Sequence, residues 1–287
     1  MSKIPKKNLI GVIFAVAIVI LIAVFIGSIR STEPESGNYE IVNFPQKETE
    51  LNSVPDNLKS NAYLNLRGVG ACDKLLGKVH VTVIFVEDDR SIWTEEEKEN
   101  FQEECENTFK RIESDAKAYG KNLSMENDYR NTKVMFPYTY SDYSTWADSV
   151  LSSLDMSAYA DANLSLEREF SSDEAVIMFA LNSSGRSFTA NSENSEYIIM
   201  FADSPAIYHE ICHVFGGCDF YFPEEVEKIA EEHLNGSIMY DCYGGSMDDF
   251  TAYIIGWKDE LTLSAENFLT GTMHITKEQI EEAKQYS

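Results

Sequence analysis

The chain has 287 residues, 48 of them acidic and 23 basic, and a formal net charge of −25. A surface this acidic repels nucleic acid and anionic lipid headgroups, so neither is expected as a partner. It suits weak Ca2+ binding, attraction of cationic peptides or simple resistance to aggregation, and 44% apolar residues suffice for a buried core.

In chain order, the first feature is an apolar run from Leu9 to Gly27, free of charged side chains and preceded by Lys3, Lys6 and Lys7. Its length matches the hydrocarbon core of a bilayer, and the positive-inside rule keeps the lysines in the cytoplasm. The expectation is a transmembrane signal anchor at 9–27 behind a cytoplasmic 1–8. The rest is then an extracellular domain of a single-pass cell-membrane protein. A cleaved signal peptide is the competing reading, but Phe25-Ile26-Gly27-Ser28-Ile29-Arg30 is a poor cleavage site. Residues 28–75, rich in Ser, Glu, Asn and Pro at their start, read as a stalk, linker or pro-segment. The remaining 76–287 read as the functional domain.

Within that domain Lys78 to Glu87 (KVHVTVIFVE) reads as a strand, and Thr94-Glu95-Glu96-Glu97 has the spacing of a capping box. The helix it opens runs to about Tyr119, with Phe101, Cys105, Phe109, Ile112 and Ala116 on one face. Strands are expected at 132–137, Ala175–Leu181, Arg186–Ala190 (an edge) and Tyr197–Phe201, with a helix over Ser144–Leu154. A helix over 204–215 starts with Ser204 as N-cap and Pro205 at its first position. Further helices are expected at 223–233, at Met247–Trp257 and after the capping box Thr276–Gln279.

The chemistry concentrates in His209-Glu210-Ile211-Cys212-His213-Val214-Phe215-Gly216-Gly217-Cys218-Asp219. On a helix His209 and His213 lie one turn apart on one face, where two imidazoles can grip a single metal ion. Glu210 beside them can act as a base on water at that metal. Gly216 and Gly217 end the helix and let the chain double back, which brings Asp219 within reach as a third ligand. Three protein ligands with one open position describe a catalytic Zn2+ site rather than a closed structural one. A rival resemblance, to the gluzincin metallopeptidases, implies a third ligand about twenty residues on, at Glu231 or Glu232, but Gly216-Gly217 argues against the longer first helix that class has.

HExxHxxGxxD followed by Ser237-Ile238-Met239-Tyr240 resembles the metzincin metallopeptidases, and the aspartate variant resembles their snapalysin-type members. The resemblance is specific over residues 209–243 and topological over about 79–256. It implies an α+β, zincin-like catalytic domain of two subdomains, here behind the N-terminal transmembrane helix. A mixed sheet with helices lies above the HExxH helix, and an irregular lower part holds the Met-turn. It further implies His209, His213 and Asp219 as zinc ligands, Glu210 as general base and Met239 as the Met-turn residue beneath the metal. The tyrosine that several metzincins carry two residues after that methionine is Asp241 here, which leaves Tyr240 and Tyr243 as displaced candidates for transition-state support. The implied activity is a zinc endopeptidase acting on peptide or protein substrates outside the cell. A non-catalytic zinc-fold binding module is the alternative from another class.

An extracellular domain permits disulfides. If Cys218 and Cys242 both lie under the zinc site they can pair, with Cys72–Cys105 as a second bridge. Cys212 is then the odd one, or it replaces Cys218 as the partner of Cys242.

Overall fold

The computed structural model describes residues 70–157, 160–192, 195–221 and 224–260. The expected anchor at 9–27, most of the expected stalk and the helix after Thr276 lie outside the described residues.

The first strand, β1 (Gly77–Glu87), is buried on both faces over 79–86, as its near-continuous apolar run requires of a central strand. Helix α1 (Glu95–Ala118) starts at a reciprocal capping box: Thr94 Oγ1 accepts from Glu97 N at 3.2 Å, and Glu97 Oε2 accepts from Thr94 N at 2.8 Å. Strand β2 (Leu123–Lys133) pairs parallel with β1 from Gly77↔Leu123 to Glu87↔Lys133. The expectation of a strand at 132–137 put it too late. LSMENDYRNTK has no apolar run because it forms a sheet edge, and past it Met135 and Phe136 are exposed. Helices α2 (Tyr143–Ser153) and α3 (Ala160–Phe170) follow, then β3 (Glu174–Leu181), β4 (Phe188–Ser192) and β5 (Ser195–Phe201). The chain continues through α4 (Ile207–Val214), α5 (Glu224–His233) and α6 (Asp249–Ile254).

The sheet order is β2-β1-β3-β5-β4. All neighbours pair in parallel except β4, which runs antiparallel to β5 at the edge. Side chains alternate between the two faces with the strand period of two. Val79, Val81, Val83 and Phe85, with Val176, Met178, Ala180, Ile198 and Met200, pack with α1, α4 and the segment through Trp257. Ile84, Val86, Ile177, Phe179 and Ile199 pack with Trp146, Val150, Leu151 and Leu166 of α2 and α3.

The α+β expectation is therefore corrected. Parallel strands need crossovers, and the crossover helices cover both faces of the sheet, so the architecture is mixed α/β around five strands. The expected division into a sheet subdomain and a separate lower one is also absent from the core: one cluster runs from Cys72 through α1 and α4 to Trp257.

No helix among the described residues is long and apolar enough to cross a membrane. The longest, α1 with 24 residues, opens on Glu95, Glu96 and Glu97 and buries only one face. The transmembrane, cell-membrane and extracellular expectations are corrected to that extent: no described helix carries them.

Candidate metal centre

Helix α4 begins later than expected. Ser204 N bonds Phe201 O in a turn leaving β5, and the Ser204 hydroxyl contacts Asp203 rather than a helix N–H. The first helical bond runs from Glu210 N to Ala206 O, and Ala206 is the N-cap. At the other end Gly216 N bonds His213 O at 3.0 Å and Gly217 N bonds Cys212 O at 2.8 Å, the paired bonds of a Schellman ending. Gly216 adopts φ 93°, where only glycine is unstrained. A Cβ on Gly217 would stand 2.9 Å from Cys212 O. Asn191 on β4 covers two more helix-end carbonyls, of His213 and Val214, at 2.9 Å each.

This reversal brings Asp219 to the two histidines. His209 Nε2 and His213 Nε2 are 3.0 Å apart, and Asp219 Oδ1 lies 3.2 Å from the first and 3.0 Å from the second. The other ring nitrogens face carbonyls: His209 Nδ1 lies 3.0 Å from Ile238 O and His213 Nδ1 2.7 Å from Gly217 O. A carbonyl oxygen only accepts, so the tautomer assigned to both neutral rings carries its proton on Nδ1. With both rings in that neutral form, the two Nε2 lone pairs and a carboxylate oxygen converge with no donor among them. Asp219 Oδ1 is accordingly a buried oxygen without a hydrogen-bond partner. Three acceptors held this close call for a cation between them. Tetrahedral zinc, with ligands about 2.0–2.1 Å away, spaces them about 3.3 Å apart, so the donor set and its size fit.

The same demand appears as charge. Burial alone would depress the His209 imidazole, but contacts with Asp219 and Cys242 and the charge of Glu210 outweigh it and hold the ring well above its ordinary value. Burial would raise the Asp219 carboxyl; its contacts with His209 and His213 win and hold it well below the carboxylate range.

Glu210 is 4% exposed, and its Oε2 accepts from the Thr189 hydroxyl at 2.8 Å. Thr189 and Asn191 are alternate residues of edge strand β4, so one face of that strand holds both Glu210 and the helix end. Met239 is fully buried in a tight turn where Tyr240 N and Asp241 N both bond Ser237 O. The peptide just before it supplies the carbonyl that orients His209. The turn is anchored by Ser237 Oγ donating to Asp248 Oδ2 at 2.7 Å, and Asp248 also caps α6. From the other side Arg111 on α1 donates to Gly245 O, and its guanidinium lies over the Tyr208 ring.

Not every candidate is brought in. Glu231 is exposed on α5 and stands outside the cluster of His209, His213 and Asp219; the Glu232 side chain is not among those described. Tyr243 is 65% exposed and Tyr240 packs against the core. Asp241, where a tyrosine was sought, accepts from Tyr243 N and Gly244 N and so shapes the loop. The expected disulfides are corrected as well, since all five cysteines are free. Each thiol has a different neighbour: Cys72 donates to Ala175 O and Cys218 to Gly216 O, Cys105 sits in the α1 core face, and Cys242 contacts His209. Cys212 is fully buried in the core behind the histidines.

The sequence reading missed Tyr221, Arg186, Thr189 and Asn191. The Tyr221 ring stacks on His209 with centroids 6.0 Å apart, and its hydroxyl accepts from Arg186 at 3.1 Å while bonding Asp219. Its position two residues after Asp219 was the available signal. The β4 pair was signalled only by a polar alternation in FTANS. Comparison with protein-family models, with curated proteins and with solved structures found no match in any of the three.

Proposed function

We propose that the protein is a zinc-dependent peptidase, with His209, His213 and Asp219 holding the metal and Glu210 as the general base. What carries this reading is the convergence of two Nε2 lone pairs and Asp219 Oδ1 within 3.0–3.2 Å of one another, beside a buried glutamate. The resemblance of HExxHxxGxxD and the Met239 turn to the metzincins points the same way.

Zinc, when bound, supplies Lewis-acid polarisation of a carbonyl and makes water more acidic at the site. Glu210 takes a proton from the attacking water and returns it to the leaving amine. The Thr189 hydroxyl, 2.8 Å from Oε2 and equally close to the Glu210 backbone carbonyl, helps to position that carboxylate. The Ile238 and Gly217 carbonyls keep both imidazoles in the tautomer that offers Nε2. Tyr221, tied to Arg186, steadies the Asp219 carboxylate.

The test pairs metal analysis with peptide hydrolysis. Glu210→Ala is expected to retain zinc and lose about 10²–10⁴-fold in rate, the usual worth of positioned acid–base assistance. His213→Ala is expected to lose zinc and activity together. A wild-type protein that binds zinc and cleaves no peptide in a diverse library would favour a binding module instead.

A further inference from the structure

Beside the metal centre lies a cavity of about 770 Å³ that the proposed chemistry does not use. Its walls come from the carboxyl ends of the parallel strands: Asp88 and Arg90 after β1, Tyr138 after β2 and Arg186 after β3, with Phe188 and Thr189 from β4. The chain leaves β1 for β2 on one side of the sheet and later enters β3 on the other, so β1 and β3 flank the point where the strand order reverses. Open α/β sheets bind ligands in the crevice at such a point. The cavity meets the metal centre at two residues: Thr189 holds Glu210, and Arg186 holds Tyr221.

Its charge runs against that of the chain. The Asp88 carboxylate is 4% exposed and fully engaged, accepting from Arg90 N, Ser91 N and Tyr138 N. Arg90 and Arg186 are exposed, and among the described residues neither guanidinium forms an ion pair. The acidic groups whose charge reaches Arg186, Asp219 and Glu210, are committed to the metal centre. Two exposed guanidinium forks in a cavity with aromatic walls, one of them with a single donor spent on the Tyr221 hydroxyl, are a receptor for a carboxylate.

Resting on the peptidase reading for the identity of its ligand, we propose that this cavity binds a carboxylate of the peptide substrate and gives the protein a preference for acidic substrates. The carboxylate is that of an Asp or Glu side chain or of the peptide C-terminus.

The test measures binding without turnover. Zinc-loaded Glu210→Ala protein is titrated with fluorescent peptides that differ only as Glu against Gln, each with a free or an amidated C-terminus. The expected result is roughly tenfold tighter binding of one acid form over its neutral twin, weakening as salt is raised. Preference for Glu over Gln in amidated peptides identifies a side-chain carboxylate. Preference for the free terminus among the Gln peptides identifies the C-terminal one. Arg90→Gln, which removes neither the Arg186–Tyr221 contact nor the backbone bond from Arg90 to Asp88, is expected to reduce the preference; Arg90→Glu with Arg186→Glu is expected to reverse it. Equal binding of all four peptides, or a preference unchanged in the double variant, overturns the proposal. Hydrolysis by the wild-type enzyme separates the two readings. Cleavage without acid preference sinks the cavity assignment alone, and acid-selective binding by a protein that cleaves nothing sinks the peptidase alone.

Discussion

Zinc should stabilise this fold, and by an amount the site geometry makes measurable. The folded chain holds its three acceptors within 3.0–3.2 Å of each other, on a histidine 1% exposed and on rings already oriented by carbonyls. The unfolded chain has no such site, so zinc is expected to bind the native state selectively. A ligand at about 100 times its dissociation constant adds about 2.7 kcal/mol. For a domain of 150–250 residues each kcal/mol moves Tm by about 2–4 °C, so saturating zinc should raise it by roughly 5–11 °C. The assay is thermal denaturation of chelator-stripped protein with zinc added stepwise. His213→Ala carries the same five cysteines, and so controls for zinc taken up by the unfolded chain. Asp219→Asn keeps the shape and removes the charge, and its shift should be intermediate. Because zinc must displace the proton drawn to the raised His209, the shift should shrink as pH falls. No rise at saturating zinc, or an equal rise in His213→Ala, would refute the idea that these three residues form the metal site.

Other expectations concern the supports. Met239 is fully buried, so Met239→Leu should cost under about 1.5 kcal/mol and keep zinc, whereas Met239→Ala should cost about 2–5 kcal/mol by chemical denaturation. Gly217→Ala places a methyl group against Cys212 O and disturbs the carbonyl that orients His213; it should weaken zinc affinity by about 10–100-fold, the usual effect of losing an outer-shell partner, measured by competition with a chelating dye. Burial pushes the Glu196 carboxyl up to about 7 despite the N–H groups of Cys72 and Ala71. A raised folded value means its contribution is fully present below the ordinary carboxylate range and is lost as pH rises through 7. Between about pH 4.5 and 8 wild type should therefore lose up to about 3 kcal/mol relative to Glu196→Gln, and a constant difference across that window would contradict it.

The α1 capping box, the strand character of β1 and β3 and the glycine stop after α4 are all local. They depend on spacing within a few residues, so they were legible in the sequence. The same holds for the one-turn separation of His209 and His213. Strand β2 was not, because an edge strand with a solvated face carries no apolar run, and its register is set by β1. The α/β layering was missed for a related reason: a near-continuous apolar run on a strand says that both faces are buried, and only the crossovers say which helices cover them.

At the site, the candidate ligands His209, His213 and Asp219 were legible from residue type and spacing. Whether Asp219 or Glu231 reaches the histidines depended on the Schellman reversal and on the helix end that Asn191 covers from a distant strand. Thr189 against Glu210, Arg186 against Tyr221, and separate neighbours for each thiol are likewise contacts between segments far apart in the chain. A periodicity encodes what a residue does for its own helix or strand. What it does for another element is decided when the sheet brings the two together, and in this protein that step sets the charge balance at the candidate metal centre and the cavity beside it.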